Sequence, residues 1–120
     1  MNQREMFRGD TFVFDVQVKQ PNGSPANISG WELWFTAKRN YADPDNLAVM
    51  AVDSVAGGIT ITEPFSGKAE IVVLPAATAG FPDGPVALVY DVQCKDTIGR
   101  VFTTEVGTLT VYPDVTRKTL

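Results

Sequence analysis

The sequence predicts an all-β protein, folded as an antiparallel β-sandwich of seven to nine short strands. Three observations predict this fold class. Apolar and polar residues alternate in runs that recur about every ten residues, turn-forming residues separate these runs, and only the segment near residues 75–80 could hold one short helical turn. Short strands with regular turns are typical of a sandwich, and a small barrel is the alternative.

The length leaves room for a single domain, because 120 residues bury one core and no second one. We expect that domain to span residues 1–120. Residues 1–10 are predicted to be an N-terminal arm or first strand, and residues 113–120 a flexible tail. With 44% hydrophobic and 20% charged residues, the composition is that of an ordinary globular protein.

The first half of the chain holds three alternating runs. Residues 11–18 form the first, and Pro21-Asn22-Gly23 closes it with residues that favour a chain reversal. The second run, residues 31–38, turns Trp31 inward and Trp34 outward. Residues 47–53 predict a further strand, and either of its two faces could be the buried one.

The second half begins with a predicted hairpin, in which residues 59–62 pair with residues 68–74. Residues 86–95 follow as the predicted central strand, and the last strands run over residues 100–105 and 106–111, with Gly107 as a bulge between them. Large aromatic side chains must fill the middle of the sandwich by volume. Those predicted to do so are Phe12, Phe14, Trp31, Phe35 and Tyr90.

Several classes of function are disfavoured by what the sequence contains. Histidine is absent, which removes the commonest general base and metal ligand. The ten Lys and Arg residues form no basic cluster and the net charge is −4, so nucleic acid is not an expected partner. No run of 18 apolar residues predicts membrane insertion. We therefore expect no enzyme, no cofactor, and no catalytic or metal-binding residue.

Cys94 is the single cysteine, so no disulfide forms within the chain, and folding in a reducing cytoplasm is expected. Its position in phase with Leu88, Tyr90 and Val92 predicts a small buried hydrophobic residue rather than a reactive thiol.

Two short motifs have a functional and a structural interpretation. Arg8-Gly9-Asp10 matches a tripeptide that adhesion receptors bind on exposed loops, but it stands directly before a predicted strand. A turn, with Gly9 in an unusual backbone conformation, is the favoured interpretation. Asn27-Ile28-Ser29 fits the glycosylation sequon, and a turn is favoured there too.

One group of residues is a candidate protein-contact or glycan-contact site: Trp34, Tyr41, Asp43, Asp45 and Asn46. Trp34 is predicted to point outward and Tyr41 lies in the following loop, and exposed aromatic side chains dominate contact surfaces. Alternatively, the turn around residues 76–77 covers Trp34. The loop oxygens are of the type that Ca²⁺ binds, but they lack the spacing of a calcium loop, so we predict no metal.

Segments that run nearly end to end through the chain carry a resemblance by their order. They are Arg8-Gly9-Asp10-Thr11-Phe12-Val13-Phe14, Asn22-Gly23-Ser24-Pro25, Ile28-Ser29-Gly30-Trp31, Trp34-Phe35-Thr36-Ala37-Lys38, Gly58-Ile59-Thr60-Ile61, Pro75-Ala76-Ala77-Thr78, Leu88-Val89-Tyr90-Asp91-Val92-Gln93, Gly107-Thr108-Leu109-Thr110-Val111 and Pro113-Asp114-Val115-Thr116-Arg117. Together they resemble immunoglobulin-like β-sandwich domains of tailed bacteriophages, and are similar to the amino-terminal domain of baseplate upper proteins and to small tail-fibre-associated proteins.

The resemblance implies an immunoglobulin-like sandwich and a non-enzymatic component of a phage tail, baseplate or fibre attachment. It implies a protein made in the host cytoplasm and placed in the virion, with other tail or baseplate proteins as partners and multiple copies or a homo-oligomer in a symmetric assembly. Edge strands and the two chain ends are the expected contact elements. The alternative function is a carbohydrate- or receptor-binding module that uses Trp34, Tyr41 and residues 43–46.

Overall fold

The computed structural model describes residues 2–115, and their fold is the predicted all-β sandwich. The flexible-tail prediction falls largely on residues 116–120, which lie outside the described residues. The strands found between residues 2 and 115 are β1 (Asn2–Phe7), β2 (Phe12–Gln17), β3 (Glu32–Lys38), β4 (Met50–Asp53), β5 (Ile59–Glu63), β6 (Lys68–Val73), β7 (Val86–Lys95) and β8 (Val101–Tyr112).

Helical structure in the described residues consists of short 3-10 turns, at Asp45–Leu47, Pro64–Ser66 and Pro75–Ala77. The last of these confirms the helical turn predicted near residues 75–80. No helix in this part of the chain has the length and hydropathy needed to cross a lipid bilayer.

Two sheets pack face to face. The larger sheet has the strand order β1-β8-β7-β3-β4, and the smaller sheet has the order β2-β6-β5. β7 lies in the middle of the larger sheet, as predicted, and β5 and β6 form the predicted hairpin. The pairing of β1 with β8 is parallel, from Asn2 opposite Gly107 to Phe7 opposite Tyr112, whereas the sequence predicted antiparallel pairing throughout. β1 and β2 belong to different sheets, so the turn between them crosses the sandwich.

The core is built from alternate positions of the strands, as the period-two pattern predicted. Phe14 of β2 meets Phe35 of β3 edge to face, with ring centroids 5.3 Å apart, and Phe35 contacts Tyr90 of β7 at 5.6 Å. Trp31 is the exception. It precedes β3 and is only half-buried at one end of the sandwich, so the prediction that it fills the middle is wrong.

The predicted strand over residues 47–53 is shorter in the structure. β4 begins only at Met50, which is the buried residue, while Leu47 ends a 3-10 turn and is exposed. The physical reason is local, because Pro44 has the fixed φ that starts such a turn and its carbonyl accepts a hydrogen bond from the Leu47 N–H at 2.9 Å.

The bulge predicted at Gly107 lies three residues earlier. β8 is continuous, and its register against β7 shifts between Glu105 and Thr103, which leaves Thr104 as the extra residue. Gly107 has a different role. A Cβ atom there would lie 2.2 Å from the carbonyl oxygen of Asn2, so glycine permits the close approach of β1.

Arg8-Gly9-Asp10 is the crossing turn between the sheets, which confirms the structural interpretation. Arg8 is only 6% exposed. Its Nε donates to Asp114 at 2.6 Å, and its Nη1 donates to Asp83 at 2.8 Å and to two backbone carbonyls. Gly9 has a φ of 81°. An adhesion receptor could not reach this guanidinium without breaking its ion pairs.

Candidate functional site

The side of β8 that faces away from β7 is only half covered. β1 pairs with residues 107–112, and no strand within residues 2–115 pairs with residues 101–106 on that side. Among the described residues, the backbone N–H and C=O groups there that do not bond to β7 have no strand partner, as at the edge of a sheet. The uncovered half of β8, residues 101–106, is named the open edge below.

A groove of about 620 Å³ adjoins the open edge. Residues 18–21, which follow β2, form one wall, and the β7–β8 hairpin forms the other. The residues of this open groove are Val18, Lys19, Gln20, Pro21, Ala26, Asn27, Trp31, Cys94, Asp96, Arg100, Phe102, Thr103 and Thr104.

Apolar side chains form the floor of the open groove. The rings of Trp31 and Phe102 stack with centroids 6.1 Å apart and an interplanar angle of 21°. Phe102 is 44% exposed, although its neighbour across the ladder is the fully buried Cys94. Burial, with a smaller contribution from the Asp96 carboxylate, raises the pKa of the Cys94 thiol. Cys94 is therefore a neutral part of the floor, which confirms its interpretation as a buried hydrophobic residue.

The bulge at Thr104 shapes the hairpin wall. In a regular strand, neighbouring residues point to opposite faces, so only every second side chain would line the groove. Here Phe102, Thr103 and Thr104 all border the groove, at the point where the extra residue interrupts the alternation.

The tip of the hairpin is held by the buried carboxylate of Asp96. It accepts hydrogen bonds from the Ile98 N–H at 3.1 Å, the Arg100 N–H at 2.9 Å and the Arg100 Nε at 2.7 Å. Burial alone would raise the pKa of Asp96, but these hydrogen bonds outweigh it and leave the pKa below its ordinary value. The wall is consequently preorganised rather than a loose loop.

Cations stand at both walls of the open groove. The Arg100 guanidinium carbon lies 5.9 Å from the centre of the Phe102 ring, and its side chain is largely exposed. Lys19 is exposed on the opposite wall, and no carboxylate in the described range lies within ion-pair distance of it. The positive charges on the two walls favour binding of a negatively charged group in the open groove.

Beyond the groove, where the open edge meets β1, a polar network ties the strands together. Arg4 of β1 makes two hydrogen bonds to Glu105 of β8, at 2.8 and 3.1 Å, and the Tyr90 hydroxyl donates to the same carboxylate at 2.5 Å. The Arg4 guanidinium carbon also lies 4.1 Å from the centre of the Phe14 ring. This network joins β1, β7 and β8 to the smaller sheet.

The network shifts the pKa values of both Glu105 and Tyr90. Burial would raise the pKa of Glu105, but the hydrogen bonds from Arg4 and Tyr90 outweigh it and lower the pKa. Burial and the neighbouring Glu105 raise the pKa of Tyr90 to about 12. Because every charge in the network has its partner within the protein, the arrangement holds β1 in place and offers no free acid or base.

The candidate contact residues predicted from the sequence lie elsewhere, on and beside the outer face of the larger sheet. Trp34 is half-buried on β3, between Asp53 of β4 and Gln93 of β7. Ala77 of the 3-10 turn packs against the core, which is the opposite side of the sheet from Trp34. Tyr41 is 67% exposed and lines a shallow hollow that does not include Trp34.

Lys38 organises the loop that contains the other candidates. Its Nζ donates to the Asp43 carbonyl oxygen at 2.8 Å and forms an ion pair with Asp45 at 2.7 Å. The Asp43 carboxylate accepts a hydrogen bond from the Asn40 N–H at 3.3 Å, and Asn46 is exposed. In the part of the chain described, no three His, Cys, Asp or Glu residues are grouped to hold a metal ion.

Comparisons with known proteins found no matching family model and no matching curated protein. Several solved structures are similar to the chain, and two of them are described here. One is the N-terminal domain of phage TP901-1 ORF48, at 14% identity and a TM-score of 0.48, covering 95% of this chain and 86% of that one. The other is AggA, the major subunit of aggregative adherence fimbriae type I from Escherichia coli, at 10% identity and a TM-score of 0.31, covering 95% of this chain and 91% of that one. Likeness at this level carries no functional argument.

Proposed function

We propose that this protein is a non-enzymatic structural component of a tailed-phage virion, in the tail, baseplate or fibre attachment. It is made in the host cytoplasm and acts in the particle through contacts with other tail or baseplate proteins, in multiple copies. The segment order that resembles tailed-phage sandwich domains supports the class of particle. The open edge of β8 with its adjoining groove is the single observation that supports action through protein contacts.

β1, β4, β2 and β5 also lie at the edges of their sheets, and what distinguishes the open edge of β8 is the stacked aromatic pair of Trp31 and Phe102 beside it. Soluble proteins ordinarily shield such edges, because unpaired backbone groups recruit other chains. Here the edge carries exposed Val101 and Phe102, with exposed Ile98 at the hairpin tip before it. An exposed apolar strip beside unpaired backbone is suited to a permanent place in an assembly, where a neighbour covers it.

The test of this function is the composition of the particle. Virions purified from the host on a density gradient are expected to contain the chain at a constant ratio to the major tail protein, measured by quantitative mass spectrometry. Deletion of the gene is expected to give particles that lack a tail, baseplate or fibre part in electron micrographs. Absence of the chain from infectious particles, which also stay intact after deletion, would contradict the proposal.

A carbohydrate- or receptor-binding module is the second candidate, and the exposure of Tyr41 beside a hollow lined by Thr36, Lys38 and Asp91 favours it. Aromatic faces with nearby polar groups bind sugars. Trp34, Asp43, Asp45 and Asn46 would have to act with Tyr41 although the hollow does not include them. A glycan array on the purified protein distinguishes the two functions, since the assembly role requires no sugar binding.

A further inference from the structure

We infer that the open edge of β8 receives an extended polypeptide strand from a partner protein, and that the side chains of this strand pack into the open groove. The occupant has apolar residues at alternate positions and an acidic residue at the end that meets the cationic walls. This inference deepens the proposed function and rests on it for the statement that the partner is a protein.

The pairing of β1 with β8 indicates where the partner strand would lie. Among residues 2–115, the ladder between β1 and β8 runs from Gly107 to Tyr112, whereas β8 itself extends from Val101 to Tyr112. A strand placed in line with β1 would continue the same ladder along residues 101–106. Six residues of strand span about 20 Å, which is enough for several backbone hydrogen bonds.

The apolar floor of the groove is the reason to expect apolar residues at alternate positions of the partner strand. Strand side chains point alternately to the two faces, so every second residue of the occupant would face Trp31 and Phe102. That surface is apolar and already stacked, so it needs no rearrangement to receive a valine-sized side chain. The other side chains of the occupant would point away from the sandwich and can be polar.

The positive charges of Lys19 and Arg100 at the groove are the reason to expect an acidic residue at one end of the partner strand. Lys19 has no carboxylate within ion-pair distance among residues 2–115, and the Arg100 side chain is mostly exposed even though it bonds to Asp96. Both cations lie on the walls beside the open edge. A glutamate on the occupant would complement them, and attraction of this kind mainly fixes register and selects partners.

The test uses the full chain and a synthetic peptide, ETVTVTVE, whose valines alternate with threonines between two acidic ends. Amide hydrogen exchange by NMR reports each residue of the open edge. On addition of the peptide, the amides of residues 101–106 that do not bond to β7 are expected to exchange at least about tenfold more slowly. A peptide with its central valine replaced by proline lacks a backbone donor and is expected to give no protection.

Matched variants place the binding at the groove. Phe102→Ser removes half of the aromatic pair and is expected to weaken peptide binding at least about tenfold. Phe65→Ser is the control, because Phe65 is 77% exposed in the turn between β5 and β6 and does not line the groove. Lys19→Gln is expected to weaken binding of ETVTVTVE several-fold but to leave unchanged the binding of the same peptide with uncharged ends.

Several outcomes would overturn the inference. The first is that millimolar peptide does not protect residues 101–106 from exchange, and the second is that both phenylalanine variants lose peptide binding equally. The third is that protection rises with protein concentration alone, which would make a second copy of this chain the occupant. Displacement of the peptide by saccharides would assign the groove to sugars. The virion measurement is independent of the peptide measurement. If the protein is found in particles but does not bind the peptide, only the inference of a partner strand is refuted. If the peptide protects the open edge but the protein is absent from particles, only the phage function is refuted.

Discussion

The substitution Gly107→Ala tests how β1 is attached to the sandwich. The added Cβ would lie 2.2 Å from the carbonyl oxygen of Asn2, 2.9 Å from its carbonyl carbon and 3.0 Å from Cε1 of Tyr90. Two of these atoms belong to the backbone, so no side-chain rotation relieves the clash, and β1 must move away from β8 by about 1 Å to reach ordinary contact. Overpacking of this kind costs about 1–3 kcal/mol.

The expected change in melting temperature follows from the size of the domain. An unfolding entropy of about 2.1 cal/mol/K per residue makes 1 kcal/mol equivalent to roughly 4 °C in a chain of this length. Gly107→Ala should therefore lower the melting temperature by about 4–12 °C in differential scanning calorimetry. Gly80→Ala is the matched control, because a Cβ there has no atom within 4 Å.

Hydrogen exchange locates the effect of the same substitution. Amides of β1 should lose protection in Gly107→Ala before those of β2 and β6, since the parallel ladder is the element that is pushed apart. An alanine variant as stable as the Gly80→Ala control would refute this register of β1 against β8, and with it the position at which the open edge begins.

Three further predictions concern stability and reactivity. The lowered pKa of Glu105 contributes stability that is present above its ordinary value of about 4.5 and is lost as the pH falls through the folded pKa, so Glu105→Gln should flatten the acid limb of the unfolding curve. The raised pKa of Tyr90, about 12 against an ordinary 10.0, contributes stability that is complete below pH 10 and is lost as the pH rises to 12, and Tyr90→Phe should remove this alkaline transition. Leu88→Ala should cost about 2–5 kcal/mol in urea unfolding, whereas the exposed Leu74→Ala should be near neutral, and equal effects would contradict the packing of β7.

Much of the fold was predictable because local signals agree with the burial of one face. Phe12, Phe14 and Val16 are buried and alternate with exposed residues, of which Val13 is the apolar one. The ten residues of β7 repeat the same pattern over the full predicted range. Turn residues indicated the chain reversals where proline or glycine determines the backbone angles, as at Gly23 with its φ of 89°.

Pairing between distant segments was not predictable from these signals. The sequence near Asn2 is polar and gives no sign that it will run parallel to β8 about a hundred residues later. For the same reason Gly107 looked like a bulge, since the strand that approaches it is remote in the chain. Trp31 was placed in the core because its phase fits β3, but the phase does not show where a strand begins.

The candidate site shows the same limit. An outward Trp34 and a loop Tyr41 could be predicted from periodicity, and the structure places both beside one face without bringing their side chains to a common hollow. The open groove was missed, because an uncovered strand edge is a property of the sheet and not of any residue. Its only local signal was Phe102, an aromatic residue beside the charged Arg100.

The central claim is that, within residues 2–115, the side of β8 away from β7 is covered along residues 107–112 and open along residues 101–106. Amide hydrogen exchange of the protein alone measures this directly, by comparing residues 101–106 with residues 107–112 on the side away from β7. The structure predicts slow exchange where β1 pairs with β8 and exchange faster by orders of magnitude along the open edge. Uniform protection along the whole of β8 in dilute protein would show that the edge is already covered, and would contradict the account.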